Sequence, residues 1–325
     1  VIMKLLYNFG IRDAKWYGKN VYRKTLDVLS IKKWAAIGSA VVIAAGIITM
    51  AVQAGLGNRA LNFSLEFVGG STTTFTFDKE YTLEEIDSQM IPSLEEITGD
   101  KNIQVQTVKD SNQVVFKTQT LDLEKREALA SYLNENYGVE ASDIATENIS
   151  STVSSEMRRD AVIAVIIATI CMLLYIWFRF KDIRFATSAV VALMHDVLVV
   201  LGFYVIARVS VGNTFIACML TIVGYSINGT IVIFDRIREA LATKSRTEDL
   251  KDLVNRCITQ TLTRTIYTNF TTFVMVVALY ILGVSSIKEF AAPLMVGIIC
   301  GAYSSVCVAG ALWYVLRKKF APKAK

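Results

Sequence analysis

His195 and Asp196 stand side by side near the middle of an apolar run from Phe185 to about Ala207, and chemistry is expected there first. An aspartate at mid-bilayer costs about 2.5–3.5 kcal/mol even on a lenient insertion scale, so it marks a place that something uses or pairs with. Adjacent helical residues diverge by about 100°, so these two are not expected to pair simply with each other. At least one must face another helix or water. Two uses stay open: an interhelical hydrogen bond that fixes packing, and a step in a proton or ion pathway. An imidazole that titrates near neutral pH favours neither. His195 is the only histidine, which excludes multi-histidine metal sites.

A second group lies in the run from Thr214 to Phe234, which carries Gly224-Tyr225-Ser226-Ile227-Asn228-Gly229-Thr230 and leads into Asp235. Thr221, Gly224, Asn228 and Asp235 follow at spacings of three, four and seven, which puts them on one helix face. Small residues let another helix come close, and Asn228 can bond across the gap. Packing explains the glycines better than it explains a mid-span asparagine. A third group, Thr261, Arg264, Thr265, Thr268 and Thr272, shares a face of the next run. Arg264 lies near that run's boundary, where it can snorkel to headgroups or join a polar seam inside the bundle. Gly297 and Gly301 form a GxxxG pair read as a packing notch, with Ser304 and Ser305 one turn on. An aspartyl protease would need two facing aspartates, and Asp196 at mid-span and Asp235 at a span's edge differ in depth. An enzyme is therefore the least favoured class.

The elements that must position these groups are long apolar helices. Hydrophobic residues make up 53% of the 325 and charged residues 19%, against roughly a quarter charged in soluble domains. Mean hydropathy is +0.43. About 20 apolar residues in a helix cross the hydrocarbon layer. Six runs qualify: Trp34 to Ala54, Ala161 to Phe178, Phe185 to Ala207, Thr214 to Phe234, Arg264 to Gly283, and Phe290 to Leu316. The fifth is the weakest, because its fully apolar part begins only near Phe270. The expected division is a basic arm over 1–33, a first span over 34–54, an α+β domain over 55–157, five more spans within 158–316, and a tail over 317–325.

The basic residues set the orientation: 23 of the 34 fall in the arm, the tail and the loops after spans two and four. Both termini are therefore expected in the cytoplasm, and the 55–157 domain outside it, in a multi-pass protein of a bacterial cytoplasmic membrane. The long basic arm and long first run read as an uncleaved anchor rather than a signal peptide. The chain opens on Val1, which fits trimming or excision from a longer fused polypeptide, and Met3 is an available start. A net charge of +5 makes no case for nucleic acid. Cys171, Cys218, Cys257, Cys300 and Cys307 have no disulfide or metal spacing and read as small buried hydrophobes.

Within 55–157, Ser71 to Phe77 reads as a strand rich in threonine and phenylalanine. Tyr81 to Thr98 reads as one amphipathic helix, with Thr82 and Glu85 as a capping box. Ile103 to Val108 and Val114 to Thr118 read as a hairpin around Asp110-Ser111-Asn112. A second helix, Leu121 to Tyr137, ends at Gly138, and Ile144 to Ile149 reads as a last strand. That order suggests a small α+β, ferredoxin-like sandwich. It offers no cysteine, histidine or nucleotide loop, and no cofactor is expected.

Gly224-Tyr225-Ser226-Ile227-Asn228 followed by Phe234-Asp235-Arg236-Ile237-Arg238-Glu239 resembles the signature of the SecF branch of the SecD/SecF family, within the RND superfamily. Phe67-Val68-Gly69-Gly70, Met194-His195-Asp196-Val197, Thr263-Arg264-Thr265 with Thr271-Thr272, and Pro293-Leu294 through Gly301 with Tyr303-Ser304-Ser305 agree in the same order. The resemblance implies one half of a pseudosymmetric twelve-helix unit completed by SecD. That unit would help preprotein finish crossing at the SecYEG translocon, driven by the proton gradient or, in some lineages, sodium. The external domain would contact the partner or the emerging chain. In the family an acidic residue taken to carry the proton usually follows the motif's asparagine. Here that position is Gly229, which cannot titrate. Arg264 is retained without that counter-charge. Asp196 or an acidic residue of SecD is the substitute to look for. Three readings compete: an ion-coupled accessory subunit of protein export, an uncoupled structural stabiliser of the translocon, and half of a small-molecule RND-type transporter. The compact external domain disfavours the third.

Overall fold

A helix that is apolar around most of its circumference must bury its surface in lipid or against other helices. The computed structural model of the chain describes residues 25–56, 60–100, 103–108, 112–180, 182–245 and 248–320. Most of the basic arm, the turn residues Asp110 and Ser111, Lys181 and the last five residues of the tail lie outside that set. Among the described residues six helices are long and apolar enough to cross a membrane. They are α1 (Lys32–Gly55, entered through a 3-10 turn over Val28–Ile31), α5 (Ser151–Phe180), α6 (Ile183–Ile206), α7 (Asn213–Ala242), α8 (Leu250–Leu282) and α9 (Ser285–Tyr303). Helix α9 runs on through a π-helical stretch, Ser304–Ala309, into α10 (Gly310–Lys319).

The fifth helix departs most from expectation. It begins at Leu250, well before Arg264, because the buried residues Leu253, Val254, Cys257 and Ile258 give its first turns an apolar stripe of their own. That stripe packs with Phe180, Phe185, Phe234 and Trp313 in one apolar cluster. A second cluster holds Val200, Tyr204, Met219, Ile222, Leu294 and Ile298. Along α6, α7 and α9 the residues between the two clusters are His195–Asp196, Ser226 and Cys300–Ser305, so a polar layer separates two apolar ones. The large apolar side chains left exposed on α1 and α5, among them Ile47, Ile48, Ile166 and Leu174, suit lipid contact.

Four antiparallel strands form the sheet of the smaller domain: β1 (Gly70–Thr76), β2 (Gln104–Thr107), β3 (Gln113–Thr118) and β4 (Ile144–Ile149), in the order β2-β3-β1-β4. Phe75 and Phe116 leave adjacent strands with ring centroids 5.4 Å apart. Their core is closed by helices α2 (Leu83–Gln89), α3 (Ile91–Thr98) and α4 (Leu123–Tyr137) through Ile86, Met90, Leu94, Leu129 and Leu133. The single helix expected over Tyr81 to Thr98 is broken at Met90. Pro92 has no amide hydrogen to give, so the chain restarts with proline in the first turn of a new helix. Thr82 and Glu85 make the reciprocal capping box, and Gly138 closes α4 at φ 69°.

The domain is tied to the bundle below it. Val211 donates to the Asn62 carbonyl at 2.7 Å and accepts from Ser64 at 3.0 Å. Glu66 accepts from the Asn213 amide at 2.7 Å, at the start of α7.

Candidate functional site

Asp196 is 1% exposed, and burial without partners would make its carboxylate costly. Its partners come from three helices. Oδ2 accepts from Ser226 Oγ of α7 at 2.5 Å and from Ser304 Oγ of the π-helical stretch at 2.7 Å. Oδ1 accepts from Cys300 Sγ of α9 at 3.1 Å and lies 2.9 Å from His195 Nδ1. The neighbours therefore do pair, contrary to the sequence expectation. The 100° separates their Cα–Cβ bonds, and rotation about the next bonds lets imidazole and carboxylate meet alongside the helix.

From His195 the chain of contacts continues to α1. Nε2 lies 2.9 Å from Ser39 Oγ, which lies 3.2 Å from Tyr303 Oη, and Tyr303 donates to the Ala35 carbonyl at 2.8 Å. His195 Nδ1, Asp196 Oδ1 and Cys300 Sγ lie within 4.8 Å of one another, the one group with metal-ligating chemistry among the described residues. Each of the three is already satisfied by the others, so the cluster holds together as a hydrogen-bonded set. Cys300 is buried, as read from the sequence, but its thiol is a donor rather than a passive filler. Cys171, by contrast, is exposed.

A second centre lies beside the first. Asn228, Gly229, Tyr225, Arg264, Thr268 and Asn269 line a cavity of about 50 Å³ that, among the described residues, no carboxylate lines. Tyr225 Oη donates to the Thr268 carbonyl at 3.2 Å, joining α7 to α8. Asn228, Arg264 and Thr268 are exposed in this chain, as are Thr221 and Gly224. The threonine stripe splits: Thr261 and Thr265 are buried and bond back to their own helix backbone, while Arg264 and Thr268 face outward. Ser305 joins the two centres. Its Oγ lies 3.1 Å from Thr230 Oγ1 and donates to the Ser226 carbonyl at 3.4 Å. A Cβ on Gly229 would fall 2.9 Å from that same Oγ. The π-helical stretch makes this possible by presenting Ser304 to Asp196 and Ser305 to α7. Such stretches are often found at functional sites.

Asp235 belongs to neither centre. It pairs with Arg179 at 2.5 Å and with Arg238 at 3.3 Å, in the last turns of α7. Gly297 and Gly301 pack on α7: a Cβ would fall 2.4 Å from Ile222 Cγ1 at the first and 3.2 Å from Ser226 Cβ at the second. Gly224 has open space around it, so the close approach expected there is not made within this chain. A tighter crossing that the sequence reading missed lies between α1 and α6, where a Cβ on Gly46 would stand 2.7 Å from Gly202 Cα. Ser39 and Cys300 were also missed as site residues. Only their helical phase relative to the His-Asp pair, given a known helix arrangement, would have exposed them.

The chain was compared with known proteins. The family model for the protein export membrane protein SecD/SecF, C-terminal, matches residues 129–319. The chain is 33% identical over 303 residues to the protein translocase subunit SecF of Desulfurispirillum indicum, covering 91% of this chain and 93% of that one. It is 36% identical over 290 residues to the protein translocase subunit SecDF of Bacillus subtilis, covering 88% of this chain but 37% of that longer protein. Among solved structures it is similar to SecDF of Thermus thermophilus, titled a translocon-associated membrane protein, with a TM-score of 0.79 and 31% identity. That match covers 93% of this chain and spans 40% of the longer SecDF chain.

Proposed function

Because the chain belongs to the SecD/SecF family, we propose that this multi-pass membrane protein is an accessory subunit of Sec protein translocation that works with SecD and draws on the proton gradient through His195 and Asp196. The observation that carries the coupling is the Asp196 carboxylate, buried and bonded at once to α7, α9 and the π-helical stretch. As an anion it accepts at both oxygens. When protonated it becomes a donor at one of them, so a hydroxyl or thiol that donated there must turn away, loosening α7 or α9 at that level. Protonation of His195 acts instead on the contacts with α1. With Nε2–H donating to Ser39, the Ser39 hydroxyl is left to turn toward Tyr303 Oη, 3.2 Å away.

The exposed polar face of Thr221, Gly224, Asn228, Arg264 and Thr268 is the surface we assign to SecD. A bare arginine and asparagine facing lipid would be costly, and a facing bundle removes that cost. SecYEG and the preprotein are the further partners in this reading. The smaller domain is read as ferredoxin-like, on the support of its strand order and its strand-helix-strand-strand-helix-strand succession. It is assigned to the outer side of the cytoplasmic membrane, with both termini inside, as the balance of basic residues favours. No catalytic role is assigned to any residue.

Complementation tests the proposal. In cells depleted of their own SecF, this chain expressed with its SecD should restore export of a slowly exported preprotein. Normal membrane levels of both chains without restored export would count against it. A second reading, an uncoupled stabiliser of the translocon, is favoured by one observation: Gly229 leaves no carboxylate in the cavity beside Arg264. It predicts restoration that is indifferent to collapse of the gradient.

A further inference from the structure

A cavity of about 590 Å³ opens where the smaller domain meets the ends of the spans. Three cations from three separate segments line it: Lys117 of β3, Arg208 of the turn after α6, and Lys288 in the first turn of α9. The two short turns between spans at this end carry few basic residues. Arg208 is the only one in 207–212 and Lys288 the only one in 283–289, yet both line the one cavity. Strand alternation explains the third. Val114 and Phe116 are buried in the domain core, so Lys117 leaves β3 on the other face. Glu289 also lines the cavity and offsets part of the charge of Lys117.

Positive charges brought together by separate elements repel one another unless an anion lies among them. The level of the cavity narrows the choice of anion. Helix α6 ends at Ile206 and α8 at Leu282, so the cavity stands where hydrocarbon gives way to headgroups. Tyr280, 42% exposed, lines it with the amphipathic ring typical of that level. Ala207, Val209 and Ala292 add an apolar wall. We propose that this cavity binds the phosphate of an anionic glycerophospholipid headgroup, with Lys117 and Lys288 as its main contacts, and so braces the smaller domain on the membrane. This goes beyond the translocation reading and does not depend on it.

Native mass spectrometry of the full chain purified with its partner would test the site. Phosphatidylglycerol, phosphatidylcholine and soluble glycerol phosphate would be titrated in separate arms. Phosphatidylglycerol should be retained in preference to phosphatidylcholine. Lys117→Gln and Lys288→Gln should each weaken it roughly fivefold. Lys288→Arg should bind as the native chain does, and so should Arg126→Gln on the far surface helix α4. Equal retention of the two lipids, or unchanged affinity in both glutamine variants, would overturn the proposal. Soluble glycerol phosphate binding as well as the lipid would overturn its lipid part in favour of a free phosphate ligand. Displacement of the lipid by an acidic peptide, with no lipid preference, would replace it with a peptide site.

Discussion

Asp196 shares its two oxygens among four neighbouring groups, so a change in that one side chain reaches two helices besides its own, α7 and α9 with its π-helical continuation. In Asp196→Asn one oxygen becomes an NH₂ that cannot accept, and at least one of Ser226, Ser304 and Cys300 loses its acceptor. Removing one partner of a buried polar group costs about 1–3 kcal/mol. The variant should therefore unfold earlier in detergent by that margin, while Asp196→Glu should recover part of it. Unchanged stability would mean that the serine hydroxyls find other acceptors. Gly229→Asp is the complementary change. Its Cβ needs only the Ser305 hydroxyl, 2.9 Å away, to rotate, and its carboxylate would enter the cavity that Arg264 lines. The variant should fold and should make export more responsive to an imposed gradient in membrane vesicles. At this scale the sequence was legible where burial is expensive: His195, Asp196, Asn228 and Arg264 announce themselves by the cost of placing them in an apolar run. Ser39 and Cys300 were not legible, because small weakly polar residues are ordinary inside spans. Their role comes only from the helices beside them.

The apolar helices, the capping box and the Gly138 helix end of the smaller domain are local signals, and they were readable for that reason. What escaped depends on other elements. The exception is the break at Met90, which Pro92 sets locally; the early start of α8 is set by burial against neighbours, and the π-helical stretch has no residue pattern that marks it. Glycines separate the two kinds of crossing. Gly46→Ala puts a methyl 2.7 Å from the Gly202 backbone, so α1 or α6 must shift, at about 1–3 kcal/mol. Gly224→Ala meets nothing within this chain. Its stability alone should be unchanged, while co-purification with SecD should fall. Loss of stability in the isolated chain would show that Gly224 packs internally.

A latch near the termini adds a pH dependence. Asp27 accepts from Lys251 at 2.7 Å, from Ser30 N at 3.2 Å and from Asn255 at 2.8 Å. The hydrogen bonds from Lys251 and then Ser30 hold its carboxyl well below the usual carboxylate range. A folded-state value below the unfolded one, about 3.9, gives stability that is present above that value and lost as pH falls through the folded one. Asp27→Asn should flatten the acid side of a plot of thermal midpoint against pH. The same slope in both proteins would remove Asp27 from that account.

On the scale of the whole molecule, the six-helix bundle leaves one polar face uncovered and one buried polar layer closed, and the proposed function uses both. The proposed sidedness rests on the basic residues alone and is open to direct labelling. A membrane-impermeant thiol reagent applied to intact cells should modify Glu135→Cys in α4 and spare Lys244→Cys between α7 and α8; the reverse pattern would invert the topology. Asp196 is proposed to carry the coupling in a chain whose span-four motif has Gly229, which cannot titrate. The most direct measurement is completion of preprotein translocation in inverted vesicles holding this chain with SecD, with and without an imposed proton gradient, for the native protein and Asp196→Asn at matched levels. The gradient should speed the native protein and leave Asp196→Asn at the gradient-free rate. An Asp196→Asn protein that still answers the gradient as the native one does would contradict it.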